Sequence, residues 1–310
     1  MSNPQLSVII PTHNRPRLLP IAVQSALEQT YPDLEVIVVD DASDPPVRLA
    51  PDPRLRVIRL EQGVGGAGAR NVGTKAARGR WVTYLDDDDR LLPHMAEVSL
   101  AALTAALAEQ PEAAVGVISG LQKVNSQGQV LKTRIPPARS PQGRDFFLEA
   151  IAPGRSYHTK QTLVVERATV LHIGGWDESF RSRVHSEFFL RLNPVCTLIG
   201  LPTVTYQLLV HPGTRVSGNA QLRQASFQQL LHKHRAAFER HPVEFAEFVY
   251  QHALTSYAVA QPVAALQHLL WALRLQPRYV AGQAVRAAHQ QLRHALKRAW
   301  ARPANALPPS

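Results

Sequence analysis

From Leu6 onward, short runs of Val, Ile and Leu alternate with segments whose apolar residues recur at helical spacing: LSVII, RLLPIAVQSALEQ, LEVIVV, LRVIRL, a Gly-rich turn into ARNVGTKAARG, and RWVTYL. That order predicts βα repeats on a mostly parallel sheet, an α/β fold. The strand runs are apolar almost throughout, the pattern expected where helices cover both faces of a sheet. Ligands of such sheets bind at the carboxyl ends of the strands. Polar residues gather there: PTHNR follows LSVII, DDAS follows VIVV, and DDDD follows WVTYL.

A second stretch of strand-like and loop segments runs from about Val115 to Leu209, with a hairpin predicted through Asn125, Ser126, Gln127 and Gly128. From about 219 to 300 the pattern is helical, with Pro242, Pro262 and Pro277 marking starts or stops. The expected division is a domain over 1–215 and a helical region over 216–310. In PVAALQHLLWALRLQP, residues Leu266, Leu269, Leu270 and Leu273 share one face. Packing against the main domain is the plainer expectation for them, because a single helical hairpin of the tetratricopeptide kind cannot build a solenoid.

At 310 residues and 45% hydrophobic content the chain can bury a large core. No window reaches the roughly 18 to 20 apolar residues of a membrane helix, and MSNPQLSVII lacks the regions of a signal peptide, so a soluble cytoplasmic protein is expected. Cys196 is the only cysteine, which excludes an intrachain disulfide and a thiolate-rich metal site. The formal charge of +10 is uneven. No acidic residue follows Glu247, while Arg274, Arg278, Arg286, Arg293, Lys297, Arg298 and Arg302 lie beyond it. An anionic partner, such as the inner membrane face, and a solvated helix face are both compatible with that tail; no nucleic-acid partner is expected.

Asp86, Asp87, Asp88 and Asp89 stand together after a buried strand. Adjacent carboxylates raise one another's pKa unless a cation sits among them. Hard divalent cations prefer oxygen ligands, and Mg²⁺ or Mn²⁺ commonly combines one or two carboxylates with substrate phosphate oxygens. A metal bridging protein and diphosphate is therefore expected. Asp40 and Asp41 end another strand and can accept bonds from a base or ribose, or simply form an ordinary turn. GVGGAG, with Gly63, Gly65 and Gly68, formally matches a dinucleotide fingerprint with Asp86 downstream. Against a dehydrogenase, that fingerprint belongs in the first βα turn, and two strands already precede it; the glycines instead predict a flexible loop entering a helix whose N-terminus faces phosphates.

SVIIPTHNRPRLLPIAVQSALEQTYPDLEVIVVDDAS, GAGARNVGTKAARGRWVTYLDDDD and GGWDESF together resemble the family 2 glycosyltransferases of GT-A fold, over about residues 5 to 215. The resemblance implies a nucleoside-diphosphate sugar donor over the strand ends and an inverting transfer to an acceptor hydroxyl in cell-surface polysaccharide or glycoconjugate synthesis. It places Pro11, Thr12, Asn14 and Asp41 beside the donor, Arg70 next to it, and Asp86, Asp87 and Asp88 in the D-x-D element. Asp88 and Asp86 are then ligands of Mg²⁺ or Mn²⁺, with Asp87 on the ribose. His211 resembles a late family histidine near the metal, and Trp176 and Asp177 fall where the acceptor pocket is shaped. For Arg70 a helix-surface ion pair, for Trp176 a core position, and for His211 a structural or solvated place are the alternatives.

Where the family has an acidic pair, this chain has Val184 and His185 within RSRVHSEFFLRL. The usual catalytic aspartate is absent. His185, with an ordinary pKa of about 6.5, and Glu187 are the two candidate bases. The rival reading is a non-catalytic nucleotide-sugar-binding scaffold that lost its base.

Overall fold

The computed structural model describes residues 3–210, 219–283 and 285–286. The described residues divide into two compact units, with the boundary between His234 and Arg235.

The first unit is built on one sheet. Its opening follows the predicted order: β1 (Leu6–Thr12), α1 (Leu19–Leu27), β2 (Leu34–Asp40), β3 (Leu55–Arg59), α2 (Gly65–Ala76) and β4 (Trp81–Tyr84). Next come β5 (Arg90–Leu91), α3 (Met95–Glu109), β6 (Val115–Val124), β7 (Val130–Arg134) and β8 (Arg139–Ser140). The remainder is β9 (Val164–Glu166), α4 (Arg167–His172), α5 (Val184–Leu192), β10 (Thr197–Leu209) and α6 (Ala220–Lys233).

Spatial strand order is β3-β2-β1-β4-β9-β6-β10-β5, with β7 on β6 and β8 on β10. β3, β2, β1 and β4 run parallel, as do β6 and β10, while β9 is antiparallel to both β4 and β6. The chain leaves β1 for β2 on one side and returns to β4 on the other, so a topological switch point lies at the carboxyl end of β1.

Every residue of β1 and β2 is buried, because helices cover both faces. Val8, Ile10, Val36 and Val38 pack with Leu19, Val23, Met95 and Leu103 of α1 and α3. Ile9, Ile37, Val39 and Val82 turn to the other face, against Ala67, Ala69, Phe188 and Leu192 of α2 and α5. The period-2 alternation of one continuous apolar run thus serves two cores at once. The predicted hairpin joins β6 to β7, with the Gly128 amide donating to the Asn125 carbonyl at 3.0 Å and Gly128 at φ +79.

α6, expected in the helical region, lies in the first unit, where Ser226 Oγ accepts from the Ser182 amide at 3.1 Å. The second unit contains α7 (Arg235–Arg240), α8 (Pro242–Ala258) and α9 (Pro262–Leu275), and a proline opens each of the latter two. Its interior is aromatic: Phe245 lies 5.2 Å from Phe238 and 5.6 Å from Trp271, centroid to centroid. α9 buries Ala265, His268 and Ala272. Leu266, Leu269, Leu270 and Leu273 are exposed by 58, 37, 46 and 42%. No described helix is long and apolar enough to cross a membrane.

Candidate functional site

β1, β2 and β4 end side by side, and each end carries a polar group toward the same place. At the end of β1, Thr12 donates its hydroxyl to Asp87 Oδ2 at 2.7 Å. Pro11 is buried opposite Val39 of β2. Asn14 is exposed at φ 54; its amide donates to Ser43 Oγ at 3.0 Å, and its Oδ1 accepts from the Asp44 amide at 2.8 Å. The β1 and β2 loops are thereby stitched together.

At the end of β2 the two aspartates diverge. Asp40 is fully buried and bound by Arg59 at 2.6 Å and by the Ser43 and Val47 amides, an internal clamp. Asp41 accepts from the amides of Val64 at 2.6 Å and Gly65 at 2.8 Å, which pins the Gly-rich loop over the strand ends. Gly65 has φ +80, a backbone conformation that strains residues with a Cβ and so favours glycine. This loop follows the third strand and starts α2, and its Val64 and Gly65 amides are spoken for by Asp41; it is not the first βα turn that a dinucleotide fingerprint requires.

Arg70 of α2 is 7% exposed, so it is no helix-surface side chain. Its Nη2 donates to Asp86 Oδ1 at 2.5 Å, its Nη1 to the Gly66 carbonyl at 2.9 Å, and the guanidinium lies 5.2 Å from the Trp176 ring centroid. Its Nε is buried with no hydrogen-bond partner among the described residues. Such an orphaned donor points toward an absent acceptor.

Asp86, Asp88 and Asp89 each place an oxygen within 4.8 Å of the others. Asp89, part of the acidic run but given no ligand role by the resemblance, is 3% exposed and accepts from Tyr206 Oη at 2.9 Å and the Leu209 amide at 3.0 Å, fixing the cluster to β10. Burial, then the charges of Asp86 and Asp88, pushes the Asp89 carboxyl well above the usual range. Asp87 is pushed to about 6 by burial and by Asp88 and Asp86, against the pull of the Thr12 hydroxyl. An all-oxygen donor set with surplus negative charge fits a hard divalent cation.

His185 and Glu187 share α5 but differ in surroundings. Half-buried His185 sets its ring edge-on to Trp176 at 5.1 Å, and burial followed by the Arg70 charge pulls its pKa to about 3. The imidazole is neutral at pH 7. Glu187 is fully buried, with Arg191 at 2.6 Å, Lys233 at 2.7 Å and His234 at 3.4 Å. Against the upward pull of burial, His234, Arg191 and Lys233 hold it down at about 2.

Trp176 is 2% exposed and stacks on Phe188 at 4.1 Å, edge-on to Tyr84 at 4.9 Å. It belongs to the core. Asn71 ties it in: Nδ2 donates to the Trp176 carbonyl at 2.8 Å and Oδ1 accepts from its amide at 2.7 Å. Asp177 pairs with Lys233 at 2.5 Å. His211 lies outside the described residues, as do Arg293, Lys297, Arg298 and Arg302.

Residues 7–146 match the family model described as Glycosyl transferase family 2. The succinoglycan biosynthesis protein ExoO of Rhizobium meliloti is 42% identical over 29% of this chain and 27% of that protein. An uncharacterised glycosyltransferase of Haemophilus influenzae is 29% identical over 60% of this chain and 61% of that protein. The matched part of the chain thus spans less than two thirds of either relative. Among solved structures, S. aureus TarS 1–349 in complex with UDP-GlcNAc aligns with TM-score 0.59 at 17% identity, over 89% of this chain and 82% of that one. That likeness establishes the fold, which is the GT-A architecture expected from the sequence.

Proposed function

We propose, for a chain whose residues 7–146 match the glycosyl transferase family 2 model, that it transfers a sugar from a nucleoside-diphosphate donor to an acceptor hydroxyl, with inversion, in polysaccharide or glycoconjugate synthesis. The observation that carries this reading is the meeting of Thr12, Arg70 and the Asp86–Asp89 carboxylates at the switch point, with Arg70 Nε buried and unsatisfied.

In this reading Pro11, Thr12, Asn14 and the Asp41-pinned loop frame the nucleoside, and Asp87 receives the ribose. Arg70 turns its unused donor to the diphosphate. Asp86 and Asp88 would hold Mg²⁺ or Mn²⁺, with Asp89 behind them; when bound, the ion neutralises charge on the leaving diphosphate. The acceptor oxygen forms a bond to the anomeric carbon from the face opposite the diphosphate. The old carbon–oxygen bond breaks with its electron pair leaving on the phosphate, and the acceptor proton passes to His185. A neutral imidazole can take that proton. Glu187 has both oxygens engaged by Arg191 and Lys233, so it positions α5 and leaves the base role to His185.

The exposed leucines of α9, next to Arg274 and Arg278 in a segment without acids, support a peripheral seat on an anionic bilayer.

A thermal-shift screen over UDP, GDP and dTDP sugars, with and without Mn²⁺, tests the donor assignment, because a ligand of the native state raises Tm by mass action. A stabilising donor whose effect requires Mn²⁺, followed by its slow hydrolysis, is the expected result. No shift with any nucleotide would remove the reading.

A further inference from the structure

The loop between Trp176 and α5 lies along the first two turns of α2. Asn71 Nδ2 donates to Glu178 Oε1 at 2.8 Å, as it does to the Trp176 carbonyl. A Cβ built on Gly68 would stand 3.4 Å from the Glu178 carboxyl carbon, and one built on Gly65 would meet Arg181 Nη1. Gly65, Gly68 and Asn71 share one face of the helix, and the loop crosses that face at close range. The other side of the loop is held by α6. Ser226 Oγ accepts from the Ser182 amide at 3.1 Å, Gln229 donates to Ser179 Oγ at 2.7 Å, and Lys233 donates to Asp177 at 2.5 Å and Glu187 at 2.7 Å. Arg181 is therefore carried on a loop fixed from both sides.

Two guanidinium groups meet the Gly65–Gly66 pair as a result. Arg70 Nη1 donates to the Gly66 carbonyl at 2.9 Å, and Arg181 Nη1 lies beside Gly65. Their charges are answered differently. Arg70 is buried and paired with Asp86, with its Nε left unsatisfied. Arg181 is exposed and makes no ion pair among the described residues. The acids on the segments around it are engaged elsewhere: Glu178 by Asn71, Asp177 by Lys233, and Asp41 by the Val64 and Gly65 amides.

We propose that Arg181 is a second guanidinium for the diphosphate of the donor, reaching it across Gly65 while Arg70 offers its unused Nε. The proposal rests on the glycosyl-transfer reading above and adds a residue to its donor site. A diphosphate together with Asp86 and Asp88 outweighs one divalent ion and Arg70 in charge, so the loaded site calls for a further cation. The planar fork of an arginine suits phosphate oxygens. Residue 181 lies outside residues 7–146, the part matched by the family model, so contact and charge alone carry the assignment.

The test is calorimetric titration of the full chain with UDP, GDP and dTDP and, separately, with inorganic pyrophosphate, each in the presence of Mg²⁺. Arg181→Gln should weaken the best-binding nucleotide and pyrophosphate alike by about 10-fold, the scale of one charge-assisted hydrogen bond. Arg181→Lys keeps the charge without the fork and should lose less. Arg80→Gln removes an exposed arginine at the amino end of β4 and should change neither affinity. Raising salt to 0.5 M should narrow the gap between the unaltered protein and Arg181→Gln, because an exposed cation is screened. Equal melting temperatures of the free proteins check that the fold is kept. The proposal is overturned if Arg181→Gln leaves both affinities unchanged, if Arg80→Gln weakens them equally, or if only nucleotide binding falls, which would put Arg181 on the nucleoside. The donor reading fails separately, when nucleotides bind no tighter than pyrophosphate; the pyrophosphate titration then still reads Arg181. If no probe binds the unaltered protein, both fall.

Discussion

The Thr12 hydroxyl donates to Asp87 Oδ2 at 2.7 Å, joining the end of β1 to the acidic loop after β4 across 75 residues. The bond favours the ionised carboxylate against burial and the charges of Asp88 and Asp86, which together hold Asp87 at about 6. Replacing Thr12 with Val removes that support while keeping the side-chain shape. Asp87 should then titrate above 6, and affinity for the UDP–Mn²⁺ pair at pH 6.5 should fall by about 10-fold, in line with loss of one hydrogen bond to a charged group. Calorimetry at pH 6.5 and 8 checks this, with the smaller loss expected at pH 8.

His185 is neutral from about pH 4 upward because its pKa lies near 3. In kcat/KM, which reports the free enzyme, an acid limb near pH 6 should therefore come from Asp87, not from the imidazole. His185→Asn should lower kcat by about 10²-fold, the lower end of the general-base range, because an imidazole with a pKa near 3 is a weak base at neutral pH. Donor affinity should stay intact, and its decline below pH 6 should persist in the variant. An acid limb that vanishes with His185 would reassign the titration.

Glu187 should matter for stability. Its folded pKa, about 2 against an ordinary 4.5, is depressed, so its contribution is complete above about 4.5 and is lost as pH falls toward 2. The shift corresponds to about 3 kcal/mol. Glu187→Gln strands Arg191 and Lys233 and is expected to destabilise by about 3 kcal/mol at pH 7, with the difference from the unaltered protein shrinking at pH 3. Urea unfolding at both pH values reads this; an undiminished difference at pH 3 would contradict it.

Binding to vesicles containing anionic phosphatidylglycerol should be salt-sensitive. Co-sedimentation is expected at low ionic strength, weakening by 0.5 M salt as screening shortens to a few ångströms. Leu266→Ser with Leu270→Ser, or neutralising Arg293, Lys297 and Arg298, should each reduce it. Equal pelleting with neutral phosphatidylcholine vesicles would remove the electrostatic component.

The amino-acid sequence by itself determined the βα order, the strand ends that carry the site, the Asn125–Gly128 hairpin and the proline-opened helices. Those are local matters, set by apolar period, turn chemistry and φ restriction within a few residues. It also exposed the missing aspartate at His185, since that is an identity at one position. Tertiary structure decided which carboxylate does what. Asp40 becomes an internal clamp and Asp41 a loop anchor, and Asp89 ties the acidic cluster to Tyr206 and Leu209, more than a hundred residues away. It likewise put Trp176 in the core and tied up Glu187 with Lys233. Burial, and the charges that meet within it, come from residues distant in the chain, and no periodicity encodes which of them will touch.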